Sequence, residues 1–452
     1  MTQQPSLITP DVLIIGAGPA GLTAAAELAS RHGGRILAVD REPAAGGIPR
    51  HSDHTGYGLR DLHRVMSGPG YARHLVRQAT AAGAEIRTHT MVTGWSDDHT
   101  VDVTGPEGRY RIRPQAIVLA TGARERPRTA RRVPGDRPHG VYTTGQLQNL
   151  VHLHHRPVGK RAVIVGGELV SWSAAVTLRE AGCTPALMIS RYPKAESYGV
   201  FNVAGRSVLR VPVATRSRIT RIIGKGRCQA VEIEHLDTGR RRTVPCDTVV
   251  FTGDWIPDHE LARTAGIALD PGTLGPLTDT ALRTSRPGVY AAGNMLHPVD
   301  TADVAALDGR HVAHQVVTYL QGMREHAEGV RLLADAPFRW VAPQILRPQD
   351  PAPPRGRLLL WSDQFVRFPK VAVRQDGRII ARRSLPWPAA PGRVFRVPSS
   401  VLEGVSPSGG PVHIGLERAA EWRLGTGRAT RAVPFRQSRS STASPDTSGR
   451  DF

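Results

Sequence analysis

The residues best suited to chemistry begin with three glycines near the N-terminus. Gly16, Gly18 and Gly21 follow a short apolar stretch and precede an Ala- and Leu-rich segment that is typical of a helix. In a strand–turn–helix unit the first glycine permits a tight turn, the second lets the backbone approach a diphosphate, and the third lets the helix pack on the strand. The helix would begin at Pro19 and Ala20, so its free N–H groups would face that diphosphate. The spacing therefore predicts a dinucleotide site.

An acidic residue follows at the distance that such a site requires. Asp40 comes directly after a second apolar stretch, residues 35–39, and about 20 residues after the glycines. A carboxylate at this position can accept hydrogen bonds from the ribose of an adenosine, and Arg41 follows it. The strand–helix–strand pattern predicts an α/β fold with a parallel, doubly wound sheet.

A second unit of the same kind lies further along the chain. An apolar stretch ends in Gly166 and Gly167 and is followed by a helical segment. Glu168 stands where the second glycine is expected, and its carboxylate adds bulk and negative charge where a diphosphate would lie. The unit therefore predicts a second Rossmann-like domain with a degenerate nucleotide site. Arg191 and Lys194 follow the next strand and could hold a 2′-phosphate, so NAD(P)H binding stays open as an alternative.

The composition narrows the class of partner. The 452 residues include 59 Lys+Arg against 39 Asp+Glu, a formal net charge of +20, but the basic residues are spread along the chain. We interpret this charge as a general bias in amino-acid usage and not as a binding surface. Because only 5% of the residues are aromatic, we also expect no nucleic-acid partner. No apolar run reaches the length of a membrane span, and the N-terminus lacks the pattern of a signal peptide.

The cysteines and clustered histidines argue against a metal site. Cys183, Cys228 and Cys246 form no CxxC pair, so the sequence predicts neither a metal knuckle nor a local redox disulfide. Sparse cysteine usage fits a reducing compartment, and we expect a cytoplasmic protein. The histidines at positions 152, 154 and 155 have no Cys or paired acids nearby, which favours surface residues over metal ligands.

The order of patterns predicts two Rossmann-like three-layer domains, the second inserted into the first, plus a small β-rich C-terminal region. A Pro-rich stretch at 343–357 is typical of a linker, and residues 436–452 lack apolar periodicity and are expected to be disordered. The predicted segments are 1–150 and 275–330 for the first domain, 151–274 for the second, 331–435 for the β-rich region and 436–452 for the tail.

Three further segments add a family resemblance. Gly46-Gly47, Thr121-Gly122 and Gly293-Asn294 accompany the first glycine turn in an order that resembles the two-dinucleotide-binding-domain flavoproteins, the pyridine nucleotide-disulfide oxidoreductase superfamily, over residues 11–321. The resemblance implies FAD as cofactor, with a helix beginning near Thr301 beside the flavin. In that family the position of Asn294 is usually Asp, so this contact becomes uncharged. The implied FAD contacts are Gly16, Gly18, Pro19, Ala20, Gly21, Asp40, Arg41, Gly46, Gly47, Thr121, Gly122, Gly293, Asn294, Thr301 and Ala302.

Other segments are similar to a narrower group. Residues 46–50, 58–61 and 68–71, together with the Glu168 variant of the second turn, resemble the FAD/dinucleotide subunits of hydrogen cyanide synthase, opine oxidase and related amine or amino-acid dehydrogenases. Those subunits work with a second flavoprotein of the D-amino-acid-oxidase type, which implies such a partner here. The β-rich C-terminal region has no counterpart in that group.

The loop after Gly47 provides the catalytic candidates. Disulfide reductases of the family carry a cysteine pair here, whereas this chain has Pro49 and His54, which argues against disulfide exchange. His54 and His51 could accept a proton as hydride leaves a C–N or C–O bond, and Arg50 could hold a substrate carboxylate. The alternative is that these side chains only pack the loop. A second cluster around His297 is also expected near the flavin.

These observations predict an FAD-dependent oxidoreductase of the dehydrogenase or oxidase type. It would transfer hydride from a small amine, amino-acid or hydroxy-acid-like substrate to the flavin, without a redox disulfide. One alternative is an NAD(P)H-dependent flavin reductase that passes electrons to a partner or small acceptor. Another is a non-catalytic electron-transfer subunit of a heteromeric dehydrogenase.

Overall fold

Two parallel sheets dominate the first three hundred residues of the chain. The computed structural model describes residues 6–298, 300–322 and 328–417. The first sheet has five parallel strands in the order Val289–Ala291, Ala116–Leu119, Val12–Ile15, Ile36–Val39 and Glu85–Arg87. The second has the order Val141–Thr143, Thr248–Phe251, Arg161–Val165, Thr184–Ile189 and Val213–Ala214.

The helices follow the strands as strand–helix–strand units require. Their bounds are α1 Pro19–His32, α2 Gly68–Ala81, α3 Thr144–Gln148, α4 Leu169–Glu180, α5 Gly199–Ser207, α6 Glu260–Thr264 and α7 Ala302–Leu320. The strand before α1 is fully buried, and the three central residues of the strand before α4 are buried, which is typical of parallel sheets covered on both faces. The side chain of Ser67 caps the N-terminus of α2 by accepting a hydrogen bond from the amide of Gly70.

A smaller antiparallel sheet accompanies each parallel sheet and makes the third layer. In the first domain its order is Leu7–Ile8, Gly108–Ile112, Val101–Gly105 and Met91–Trp95, with only the outermost pair parallel. In the second domain the order is Ser217–Ile223, Ala230–His235 and Arg241–Pro245. The short strands Ala123–Glu125 and Trp255–Pro257 pair where the chain passes between the domains.

The C-terminal region is built from two further sheets around its own core, which includes Leu358, Leu360 and Phe395. The larger sheet has the order Ile345–Leu346, Val330–Ala334, Val412–Leu416, Lys370–Gln375 and Arg378–Ser384, and the smaller has Phe338–Ala342, Arg357–Ser362 and Val394–Pro398. We call residues 330–417 the C-terminal module. The Pro-rich stretch predicted as a linker lies inside it and includes the strand Ile345–Leu346.

The predicted fold class is confirmed: two Rossmann-like domains are followed by a β-rich region. The domain boundaries stay a prediction, and the tail at 436–452 lies outside the described residues. Among the helices of the described residues, none combines the length and apolar character needed to cross a bilayer.

Candidate functional site

The first glycine turn leaves space in front of its second glycine only. A Cβ added to Gly16 would lie 2.4 Å from the carbonyl oxygen of Ala120, and one on Gly21 would lie 1.9 Å from the carbonyl oxygen of Gly16. A Cβ on Gly18 would meet nothing closer than the Cα of Gly47, at 3.9 Å. The turn is therefore tight against protein on two sides and open where a diphosphate would approach, at the N-terminus of α1.

The Gly46-Gly47 loop lies against this turn. The amide of Gly46 donates to the carbonyl of Ala17 at 2.7 Å, and a Cβ on Gly47 would lie 2.9 Å from the Cα of Gly18. Gly47 has a φ of 62°, in the left-handed region that favours glycine. The structure therefore brings together two of the predicted glycine segments.

Asp40 has a structural task in addition to its predicted one. Its carboxylate accepts hydrogen bonds from the amides of Ala17 at 2.8 Å and Glu42 at 2.9 Å, which fixes the turn to the end of the neighbouring strand. Each carboxylate oxygen keeps a lone pair, so a ribose hydroxyl can still bind.

Arg41 and the Thr121-Gly122 segment meet at Asp258. The Arg41 guanidinium pairs with the Asp258 carboxylate at 3.0 Å, and the Thr121 hydroxyl donates to the Asp258 carbonyl at 2.7 Å. The Asp258 amide in turn donates to the carbonyl of Gly122 at 2.9 Å. Asp258 was not among the predicted residues, since no motif marks it.

The Gly293-Asn294 segment closes the site from the side of α7. A Cβ on Gly293 would lie 2.8 Å from the Cβ of Ala20, so the segment packs directly on the first turn of α1. The Asn294 amide donates to the carbonyl of Asp300 at 2.9 Å and accepts from its backbone N–H at 3.0 Å. This reciprocal pair holds the loop that leads to α7.

The N-terminus of α7 carries a buried acid that the sequence patterns did not single out. Thr301 is the N-cap and Ala302 the first residue of the helix, as predicted. The Asp303 carboxylate, 2% exposed, accepts from the backbone amide of Arg60 at 3.0 Å and pairs with its guanidinium at 3.3 Å. An Asp in the first turn is a common signal of a helix N-terminus in a sequence. No sequence signal marks the pairing of this Asp with a residue more than two hundred positions away.

The loop after Gly47 places the three catalytic candidates differently. The Arg50 guanidinium donates to the carbonyl of Ala44 and so braces the loop itself. His51 is 8% exposed, and its Nδ1 has no hydrogen-bond partner among the described residues. Burial, then the charges of Arg50 and His152, lower the pKa of His51 to about 4, so its ring is neutral at neutral pH.

His54 is held by hydrogen bonds at both ring nitrogens. The Thr55 carbonyl can only accept, so Nδ1 donates to it at 2.9 Å, and Nε2 lies 3.1 Å from the hydroxyl of Ser52 as an acceptor. The Gln148 amide on α3 donates to the same hydroxyl at 3.3 Å. The ring of Tyr57 lies 5.4 Å from that of His54. The half-buried imidazole is thus fixed in one tautomer by a series of hydrogen bonds that reaches into the second domain.

The second turn contains carboxylates where the first is open. Oε2 of Glu168 accepts from the hydroxyls of Ser171 and Thr252, each at 3.0 Å. A Cβ on Gly166 would lie 2.5 Å from this oxygen, and one on Gly167 would lie 2.2 Å from Oε2 of Glu196. The turn survives as a fold unit, as predicted, and its front is occupied by two acidic side chains.

The basic residues suggested for a 2′-phosphate already have partners. The Arg191 guanidinium donates to the hydroxyl of Tyr192 at 2.8 Å, and the Lys194 ammonium lies 4.4 Å from the ring centre of Phe365. These contacts do not favour a phosphate at this position.

His297 and His152 make contacts within the protein. Nε2 of His297 lies 2.5 Å from the carboxylate of Asp308, which also binds Arg355 of the C-terminal module. His152 contacts the hydroxyl of Thr177 at 3.3 Å. Within the described ranges, no group of three or more His, Cys, Asp or Glu is arranged to hold a metal ion.

The structure also brings together two cysteines that are distant in sequence. The sulfur atoms of Cys228 and Cys246 lie 4.0 Å apart, and both side chains are buried beside the hairpin Ala230–His235 and Arg241–Pro245. Spacing motifs could not detect this pair, because strand pairing rather than chain proximity joins the two residues.

The first turn is open to a diphosphate, an acid follows at the end of the next strand, and a glycine segment packs on the first helix. Together these features define a dinucleotide-binding domain of the Rossmann type. The chain belongs to the family described as "Pyridine nucleotide-disulphide oxidoreductase", which matches residues 10–309. This family uses FAD, often together with NAD(P)H, and the first turn fits the diphosphate of FAD.

Similar proteins lie within the same superfamily. The chain is 26% identical over 342 residues to a thioredoxin reductase of Treponema pallidum, covering 70% of this chain and 98% of that protein. It is 28% identical over 339 residues to an opine oxidase subunit of Rhizobium meliloti, covering 67% of this chain and 61% of the relative. It is 32% identical over 200 residues to the alpha subunit of sarcosine oxidase from a Corynebacterium species, covering 40% of this chain and 19% of the relative.

The solved structures agree on the fold. Thioredoxin reductase of T. acidophilum superposes with a TM-score of 0.60 at 24% identity, covering 70% of this chain and 99% of that one. The predicted family resemblance is therefore confirmed, and the chain is an oxidoreductase of this family. The C-terminal module lies beyond the residues that the family matches.

Proposed function

We propose that this protein oxidises a small amine or amino-acid-like substrate, with hydroxy acids as the nearest variant. FAD, held at the first turn, would supply the hydride acceptor. The observation that supports this proposal best is His54, which lies on the loop leaving Gly47 with its tautomer fixed by Ser52 and Thr55. Disulfide reductases of the family are expected to place a cysteine at this position.

We assign a different role in the reaction to each residue of the loop. Hydride leaves the carbon of the substrate while Nε2 of His54 takes the proton from the substrate nitrogen or oxygen, leaving an imine or carbonyl product. Ser52 can turn its hydroxyl away from Nε2 as the proton arrives, since Gln148 also binds it. The buried, neutral His51 does not serve as a cation, and Arg50 keeps free donors for a carboxylate.

The test of this role is His54→Ala in anaerobic single-turnover mixing with a panel of amines, amino acids and hydroxy acids. Loss of general-base catalysis should slow flavin reduction about 10²- to 10⁴-fold. His154→Ala, at an exposed position, is the matched control and should react at the wild-type rate. Flavin reduction by His54→Ala at the wild-type rate would contradict the proposal, as would a panel in which no substrate reduces the wild-type protein.

A partner protein is the second part of the proposal. Two relatives are named as subunits of larger enzymes, one of opine oxidase and one of sarcosine oxidase, which supports work as part of a heteromeric dehydrogenase. Co-expression with the product of an adjacent oxidase-type gene should then yield a complex that turns over faster than this chain alone.

We also propose a cytoplasmic location, which is consistent with the free thiols of Cys183, Cys228 and Cys246.

A further inference from the structure

We propose that the C-terminal module is a built-in occupant of the second nucleotide site, where its loop at residues 389–393 and the carboxylates of Glu168 and Glu196 fill the space of a dinucleotide. This inference goes beyond the proposed function and does not depend on the identity of the substrate. In this proposal, the module and the two acids together exclude NAD(P)H as electron donor.

The loop backbone touches both acidic side chains. Gly392 has a φ of 75°, and a Cβ added there would lie 2.5 Å from the Cβ of Glu196 and 3.0 Å from the Cγ of Glu168. Only a residue without a side chain brings the loop this close. The module therefore covers part of the front of the second turn, where Gly167 and Glu196 are buried and Glu168 stays partly exposed.

Hydroxyl groups around the turn hold both carboxylates in place. Glu168 accepts from the hydroxyls of Ser171 and Thr252, and Glu196 accepts from the hydroxyl of Ser190 at 2.9 Å. Both acids are anchored to the strands and the helix that form the turn, so a diphosphate would have to displace two held side chains. Anions that approach the turn would also meet the negative charge of Glu168.

The module also covers the segment that follows the second strand of the unit. In a Rossmann unit the adenosine ribose binds at the end of this strand, as predicted for Asp40 in the first domain. The corresponding segment here carries Tyr192, whose ring lies 6.1 Å edge-on from that of Phe365, and Tyr198, whose ring centre lies 4.8 Å from the guanidinium carbon of Arg393. Both partners belong to the module.

The first turn provides an internal comparison. It has the same strand–turn–helix construction, and in front of Gly18 the nearest protein atom lies 3.9 Å from an added Cβ. The same fold unit is thus open in the first domain and closed in the second. The difference lies in Glu168, Glu196 and the module, not in the backbone of the turn.

The experiment compares hydrogen–deuterium exchange in the FAD-loaded full-length protein and two variants. Phe365→Ala with Arg393→Ala removes the side chains that hold the module on the second domain. Phe368→Ala, an exposed residue of the same module, is the matched control. We expect amides at 166–171 and 192–198 to exchange at least about tenfold faster in the double variant, with residues 16–21 unchanged in both. Equal exchange at 166–198 in the double variant and the control would overturn the proposal.

The outcome that would refute the proposal in a second measurement is read from the wild-type protein, so it does not depend on the folding of a variant. Titration calorimetry with NAD⁺ and with NADP⁺ should show no binding tighter than about 1 mM. The variant Glu168→Gly with Glu196→Ala, combined with the loosened module, should bind at least about tenfold tighter than wild type. Micromolar binding of either dinucleotide to the wild-type protein would refute the occupied site, whether or not any amine reduces the flavin.

Discussion

Single residues decide whether each glycine turn can accept a ligand. At the first turn, Gly16 and Gly21 are required by the fold, because an added Cβ would collide with backbone oxygen atoms. Gly18 is not required by the fold in this way, since an added Cβ meets nothing within 3.9 Å. We therefore expect glycine at position 18 to serve the ligand rather than the fold, which separates stability from cofactor binding at neighbouring positions.

This separation predicts different outcomes for two small substitutions. Gly21→Ala should destabilise the protein even without FAD, by about 1–3 kcal/mol or more, because the methyl group overlaps the Gly16 carbonyl. Gly18→Ala should leave the melting temperature of the apoprotein near wild type and weaken FAD binding. Differential scanning fluorimetry of apoprotein and flavin titration check the two effects. A Gly18→Ala apoprotein as unstable as Gly21→Ala would contradict the assignment of the open side.

At the scale of elements, the sequence predicted what short-range patterns encode. The two strand–turn–helix units follow from glycine spacing and apolar runs, and the family resemblance implied the start of α7 near Thr301. Contacts between distant elements leave no such trace. The meeting of Glu168 with Glu196, and of Cys228 with Cys246, depends on how strands and loops pair in space. The strand Ile345–Leu346 was missed because prolines at 343–357 suggested a linker.

The acidic pair at the second turn should make stability depend on pH. Burial, and then the charge of Glu168, raise the pKa of Glu196 to about 8. The unfolded chain releases this proton near the ordinary value of about 4.3, so between the two values the folded state binds more protons than the unfolded state. The free energy of unfolding therefore falls as pH rises from about 5 to 8, and this contribution levels off above that range.

Glu196→Gln removes this titration while it keeps the shape of the side chain. The melting temperature of the variant relative to wild type should be higher at about pH 8.5 than at about pH 5.5, by a few degrees. Glu180→Gln is the control, because the Glu180 carboxylate at the end of α4 is 44% exposed. The same difference at both pH values in Glu196→Gln would show that Glu196 is already ionised in the folded protein.

At the scale of the whole molecule, the C-terminal module is joined to both Rossmann-like domains. It meets the second domain through Gly392, Phe365 and Arg393. It meets the first through buried ion pairs, among them Arg396 with Asp300 at 2.7 Å and Arg355 with Asp308. Relative motion of the two domains would have to break contacts on both sides, so the module should act as a brace that favours one arrangement.

Asp308 is the point where this brace is most sensitive. Its side chain is 1% exposed and lies between His297 and Arg355. Burial alone would raise the pKa of Asp308, but Arg355 and His297 lower it below its ordinary value, so the carboxylate is ionised.

Asp308→Asn leaves a buried guanidinium without its counter-charge, which should cost about 3–5 kcal/mol. The matched control is Asp335→Asn, which removes a His–Asp pair of 2.9 Å whose side chains are more than 40% exposed and should cost less than about 1 kcal/mol. Thermal unfolding of the FAD-loaded protein measures both losses, and limited proteolysis should cut the module first in Asp308→Asn. Equal losses in the two variants would mean that the contact with α7 does not hold the module in place.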